Sequence, residues 1–294
     1  MSDLMLDSFR KFIAPVVRGP LITGRTGFEP EIIVRLGGSL GRQMWQYAIG
    51  RAAAIGSGLP VSYDVSCPGG VCELEAAFPG LELSRAPAGL AAKYRLYFYT
   101  GDRARNVTPG EDILGSKRPK YLGGKYMNAA CVDQQGDALR DEFTFKPALS
   151  DEKRFVFSSA YMEEFPVAVH LCTGLTTGAY FRAAVRNLSE RISPGRAVYY
   201  VFSADSGSGG KIFSDMDEEF VYVEAAENCA EDMYLMSRFR HFIISNSLFG
   251  WWPAWLSRRH ADKIVVMPDK WRADERPQDA LPMLPDGWTA LRGD

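Results

Sequence analysis

The segment Phe242-Ile-Ile-Ser-Asn-Ser-Leu-Phe-Gly-Trp-Trp-Pro-Ala-Trp-Leu256 constrains the fold more than any other stretch of the chain. Phe242 to Ile244 form a short apolar run of the kind a buried strand shows. Ser245, Asn246 and Ser247 are residue types that leave a strand and cap a helix, because their side chains accept hydrogen bonds from free N–H groups. Trp251, Trp252, Trp255 and Leu256 follow at helical spacing and would pin that helix against a sheet. Pro253 is tolerable only near the start of the helix, where a missing N–H breaks no bond. Amides, hydroxyls and a positive dipole end would then converge on one point suited to a phosphate. An ordinary strand-turn-helix without a ligand has the same local pattern.

A second strand-turn-helix opens the chain proper. Glu31 to Leu36 reads as a strand, Gly37-Gly-Ser-Leu-Gly41 as a glycine-rich turn, and Arg42 to Ala54 as a helix with Met44, Ala48 and Ile49 on one face. The turn is neither a dinucleotide fingerprint nor a P-loop. Its glycines permit a close backbone approach to a ligand, and tight turning alone would also explain them. Further strands are expected at Leu59–Asp64, Lys93–Thr100, Tyr121–Met127, Phe165–His170, Ala197–Ser203, Phe220–Glu224 and Ile264–Met267. Helices are expected at Ala138–Phe143, Tyr180–Ile192 and Ala230–Phe239. The Gly/Ser run after Asp205 reads as a loop, and the end of the chain as a polar tail. Strand-helix alternation in two series predicts an α/β protein of two domains, cut at the charged stretch Ser150 to Arg154.

Four distinctive segments stand at carboxyl ends of predicted strands: Gly37 to Gly41, His170 to Gly174, Ser203 to Asp205, and Ser245 to Ser247. Ligands of open α/β sheets bind at that edge. Their common placement points to a cleft for a phosphorylated ligand.

Composition excludes several alternatives. The 34 basic and 36 acidic residues leave a net charge of −2, with no basic block interleaved with aromatics, so nucleic acid is not an expected partner. Three histidines (His170, His241, His260) exclude a histidine-rich metal site. Five scattered cysteines, without a metal spacing, suit free thiols in a reducing, cytoplasmic compartment. No run approaches the roughly 18 apolar residues of a membrane span. Leu4 to Arg18 is mildly amphipathic; a terminal helix packed on its own domain is the first expectation for it. Peripheral association with the inner face of a membrane stays open.

At this point the motifs carry a family resemblance. Ile32 to Ala48 resembles the opening signature of α-1,2-fucosyltransferases (glycosyltransferase family 11), R-L-x-G-G-L-G-N-Q-x-F-Q-Y. Tyr121 to Tyr126 is similar to their Y-F-Q-S-x-K-Y, and Phe202-Ser-Ala-Asp205 to F-S-D-D. Asp232 to Ser237 and Ile243 to Leu256 are similar to D-x-x-L-M-S and I-x-N-S-x-F-S-W-W-x-A-W-L. Order and spacing hold from about residue 31 to 271.

The resemblance implies a GT-B glycosyltransferase, two Rossmann-like domains facing across a cleft. Residues 1–30 would be an extension, 31–150 the acceptor-side domain and 151–294 the nucleotide-sugar domain. It implies inverting transfer of fucose from GDP-fucose to the 2-hydroxyl of a galactoside in a glycan or surface polysaccharide, with no metal and no cofactor. The expected partners are that nucleotide sugar and a glycan acceptor. Ser245, Asn246 and Ser247 would hold the diphosphate beside His170, Asp205 would help bind the nucleoside, and Gly38, Gly41 and Gln43 would belong to the donor site.

Three departures qualify this. The family's H-x-R-R-G-D reads His170-Leu-Cys-Thr-Gly-Leu175, the asparagine of G-N-Q is Arg42, and the serine of F-S-W-W is Gly250. Loss of a phosphate-facing arginine removes charge stabilisation from the leaving diphosphate. Arg42 is therefore expected to supply the missing positive charge and to join His170 as a catalytic residue. The alternatives are an impaired homologue acting as a glycan-binding or scaffolding subunit, and a transferase using another nucleotide sugar.

Overall fold

A computed structural model describes residues 29–66, 72–101, 111–124, 126–146, 149–172, 176–204, 206–257, 262–271 and 282–292. The expectation for Leu4 to Arg18 lies outside them. The chain divides into two compact units. One runs up to Ala76 and resumes over Gly80–Leu139; the other holds Ala77–Pro79 and everything from Arg140.

The first unit is a parallel sheet. Strand β1 (Ile32–Arg35) pairs with β2 (Val61–Asp64) and with β4 (Lys120–Leu122), and the short β3 (Tyr99–Thr100) adds to β4, giving the order β2-β1-β4-β3. Helix α1 (Leu40–Ser57) follows β1 and buries Met44, Ala48 and Ile49, as its spacing predicts. It lies so close to the sheet that a Cβ at Gly50 would stand 2.7 Å from Val34 Cγ2. It stops at Gly58, whose φ of 70° only glycine adopts cheaply and whose N–H donates to Ala54 O.

Helices α2 (Glu73–Ala77) and α3 (Ala88–Tyr97) lie between β2 and β3. The strand expected at Lys93–Thr100 is therefore mostly helix. Its apparent alternation had no core behind it, since Leu96 and Tyr97 are exposed, while Ala91 and Tyr94 at helical spacing are buried. Short helices α4 (Glu111–Leu114), α5 (Ala129–Asp133) and α6 (Gly136–Glu142) complete the described part before the second sheet.

The second unit includes helix α7 (Asp151–Met162). Ser150 caps it by accepting from Lys153 N, and Asp151 and Glu152 sit in its first turn, where negative charge suits the helix dipole. Strands β5 (Phe165–His170), β6 (Ala197–Phe202), β7 (Glu219–Val223), β8 (His241–Ile244), β9 (Val265–Pro268) and β10 (Thr289–Leu291) form one parallel sheet. Its order is β10-β9-β8-β5-β6-β7, the strand order of dinucleotide-binding folds.

Helix α8 (Gly178–Ile192) packs Phe181, Ala184, Val185 and Leu188 onto Val167, Val169, Tyr199, Val201, Ile243 and Val266. Two local expectations yield to this packing. The run Ser206–Phe213, read as a loop for its glycines, is helix α9, with Ile212 and Phe213 in the core and Gly209 against the Tyr222 ring. Buried contact outweighs the poor helix propensity of glycine here. The tail yields β10, whose three residues pair with Val266 to Pro268.

Helices α10 (Cys229–Ser237) and α11 (Leu248–Leu256) flank β8 in the chain. Among the described residues no helix is long and apolar enough to cross a membrane, and no three His, Cys, Asp or Glu side chains gather as a metal site.

Candidate active site

The winding of the second sheet reverses between β5 and β8: the chain leaves β5 toward β6 on one side, while β8 adds on the other. Loops leaving adjacent strands in opposite directions open a crevice at their carboxyl ends, the usual ligand position of such sheets. His170 ends β5 opposite Ile244, the last residue of β8.

The residues after β8 are fixed from several directions. Ser245 is fully buried, its N–H donating to His170 O at 3.2 Å and its hydroxyl 2.8 Å from His170 Nδ1. Asn246 is braced by Thr176, whose hydroxyl accepts from Asn246 N at 3.1 Å and donates to Asn246 Oδ1. The Asn246 amide reaches Trp271 O at 3.4 Å. Ser247 caps α11 by accepting from Phe249 N at 3.2 Å. Tyr180 of α8 donates to Ile244 O at 2.7 Å, satisfying a buried carbonyl at the strand end.

Helix α11 is held rigidly behind this turn. Trp251, Trp252 and Trp255 are buried, and Trp251 Nε1 donates to Met283 O at 2.8 Å. Pro253 is the sixth residue of α11, further in than expected, and the helix ends three residues later. Gly250 faces His170: a Cβ there would come within 2.8 Å of the imidazole Cγ and Nδ1. Its glycine gives the ring room to lie against the first turn of α11, with the Phe249 ring centroid 5.5 Å away.

Burial pushes the His170 pKa down to about 4. The imidazole is therefore neutral near pH 7. It offers a hydrogen bond, not a charge, and the positive potential at the turn comes from the helix start. A stability consequence follows from linkage. The unfolded chain binds its proton near pH 6.5 while the folded ring resists protonation until about pH 4. Stability is full above about pH 6.5 and falls as the pH drops toward 4, by at most about 3 kcal/mol. Urea unfolding between pH 7 and 4 should show this slope, and His170→Asn should flatten it. An unchanged slope in the variant would assign the loss to other groups.

In the first unit, Leu36 to Ser39 link β1 to α1. Gly38 has a φ of 86°, its carbonyl accepts from Gln43 Nε2 at 2.8 Å, and Gly37 N donates to Gln46 Oε1 at 2.9 Å. Gln43 is buried and also accepts from Leu74 N at 3.4 Å, so its amide braces the loop. Gly41 is buried in the first turn of α1. The stem of Arg42 folds over Gly38, with Cδ 2.8 Å from where a Cβ would stand. Among the described residues its buried Nε has no hydrogen-bond partner.

The structure thus brings His170, Ser245, Asn246 and Ser247 together in the second unit, and Gly38, Gly41, Arg42 and Gln43 together in the first. Asp205 lies outside the described residues, as do Thr173 to Leu175 of the divergent motif. Sequence reasoning passed over Thr176. Its only local signal was a Thr-Thr pair before a helix, and Thr177 is the one that caps it.

Two α/β units, the second with a capped helix start at its switch point, give the chain the architecture of a GT-B glycosyltransferase. A NodZ α-1,6-fucosyltransferase co-crystallized with GDP shares the fold with a TM-score of 0.50 at 12% identity, over 77% of this chain and 92% of that one. The family model "Glycosyl transferase family 11" matches residues 173–292. Over those residues the chain is similar to that family of glycosyltransferases, as the motifs of its second half suggested.

Among curated relatives, the O-antigen biosynthesis glycosyltransferase WbnK of Escherichia coli is 38% identical over 113 residues, 38% of this chain and 35% of that protein. An alpha-1,2-colitosyltransferase of Escherichia coli is 26% identical over 295 residues, covering 88% of this chain and 98% of that protein.

Proposed function

We propose that the protein transfers fucose, with inversion, from GDP-fucose to the 2-hydroxyl of a galactoside in a glycan or surface polysaccharide, without a metal ion and on the cytoplasmic side of the membrane. The observation that carries this reading is the rigid His170–Ser245–Ser247 turn at the start of α11, at the switch point of a dinucleotide-type sheet.

Departure of a nucleoside diphosphate builds negative charge on the β-phosphate oxygens. Fixed donors placed before the reaction stabilise that charge without reorganising. The first-turn amides of α11, the Ser247 hydroxyl and the neutral His170 are such donors. The acceptor hydroxyl attacks the anomeric carbon from the face opposite the diphosphate, which inverts the configuration. Related proteins support the choice: one is named for α-1,2 transfer of colitose, another for O-antigen biosynthesis, and the NodZ structure holds GDP. Asp205 remains the proposed contact to the nucleoside.

One observation favours a second reading. Cys172 stands where the family has an arginine, and a weak or inactive homologue that binds glycan would tolerate that change.

GDP should raise the melting temperature of the full chain more than UDP does, because native-state binding stabilises in proportion to the logarithm of ligand over dissociation constant. Equal shifts, or a larger one with UDP, would remove GDP-fucose from first place. A GDP shift without turnover on any GDP-sugar would favour the second reading.

A further inference from the structure

The carboxyl edge of the first sheet carries a second group of side chains that the diphosphate reading leaves unused. Strands β3 and β4 end side by side, with Gly123 N donating to Thr100 O at 3.3 Å. The phenol of Tyr99 is clasped there by two glycines from opposite edges. A Cβ at Gly101 would stand 2.1 Å from Tyr99 Cε1, and one at Gly123 would stand 2.4 Å from Cε2. Tyr121 stacks on the same ring, centroids 6.0 Å apart at 24°. Tyr126 donates to Thr100 O from a backbone with φ of 42°, a strained value for a tyrosine.

Beneath them, Tyr121 donates to Asp64 Oδ2 at 2.5 Å, and Ser66 donates to Asp64 Oδ1 through its N–H at 3.0 Å and its hydroxyl. Burial alone would raise the Asp64 pKa, but these hydrogen bonds outweigh it and hold the carboxyl below its usual range.

Tyr99 packs against this core cluster, but core packing accounts for only part of the arrangement. Tyr94 and Tyr121 are fully buried in the same cluster, whereas Tyr99 is only half-buried at its rim. Two close glycine approaches and one strained backbone fix a partly open ring at the edge where α/β sheets take ligands. A partly open aromatic ring suits a hexose, which presents an apolar C–H face.

We propose that this edge is a saccharide subsite for the acceptor, with Tyr99 contacting the sugar ring and Tyr121 and Asp64 acting as positioning residues. The assignment of the sugar as a galactoside rests on the proposed transfer reaction.

Saturation-transfer NMR of the full chain with methyl β-galactoside tests it without requiring turnover. The wild type should show transfer to one C–H face of the sugar, and Tyr99→Phe should keep it. Tyr99→Ala and the bulkier Tyr99→Leu should each weaken binding at least tenfold while leaving the GDP-induced melting shift unchanged. No signal from the wild type, or wild-type binding by a folded Ala or Leu variant, would overturn the subsite. Loss of the GDP shift together with sugar binding would also overturn it, by showing a structural role. Galactoside binding without fucose transfer would leave the subsite standing and sink the donor assignment instead.

Discussion

Asp232→Ala should lower the unfolding free energy by about 3 kcal/mol, the loss expected when one partner of a buried ion pair is removed. Asp232 Oδ1 lies 2.7 Å from Lys153 Nζ, with the lysine side chain only 3% exposed and the aspartate 13%. Lys153 also donates to Glu224 O, and Asp232 Oδ2 accepts from Ala226 N at 2.9 Å. One carboxylate thus joins α7, α10 and the loop after β7. Without it, an ammonium group is left buried beside a single carbonyl. Asp232 opens the motif similar to D-x-x-L-M-S, and its place in the first turn of α10 also suits the helix dipole. The signature residue reads here as a structural brace. Urea unfolding measures the loss, and Lys153→Met combined with Asp232→Leu should recover much of it, since an apolar pair avoids the desolvation cost. A loss below about 1 kcal/mol in Asp232→Ala would refute the brace.

Arg42→Ala should lower turnover at least about tenfold, roughly 1.4 kcal/mol of transition-state stabilisation. Two local costs argue that this arginine serves an anion. It is the third residue of α1, where positive charge opposes the helix dipole, and its buried Nε lacks a hydrogen-bond partner among the described residues. Gly38, without a side chain, lets the stem lie across the loop. The proposed role is to replace the arginine missing at Cys172 in stabilising the departing diphosphate, for which a guanidinium fork can donate two hydrogen bonds. Arg42→Lys should recover part of the rate. The same reasoning gives the opposite sign for stability: Arg42→Ala should be at least as stable as wild type in the absence of nucleotide. Wild-type turnover in Arg42→Ala would refute the role, and a marked loss of stability would show that the arginine is a structural contact.

Much of this protein is legible from local pattern. The strand-turn-helix at Phe242 to Leu256 and that at Ile32 to Ala54 were readable because apolar runs, capping residues and helical spacing agree over short distances. Ser247 caps α11, and the tryptophans are buried behind it, as the sequence predicts. Local pattern misled where it had no core behind it, at Lys93–Tyr97, and where a core overruled propensity, at the glycine-rich α9. Other features belonged to tertiary structure alone. Parallel strand order depends on crossovers, and no residue pattern states that β8 adds beside β5 and makes a switch point there. The pairing of Lys153 with Asp232, the bracing of Asn246 by Thr176 and the tie between Tyr121 and Asp64 join residues 57 to 79 positions apart. Such contacts form only once the sheets have set their strands in register, so the sequence determined the kind of elements and the fold decided which side chains meet.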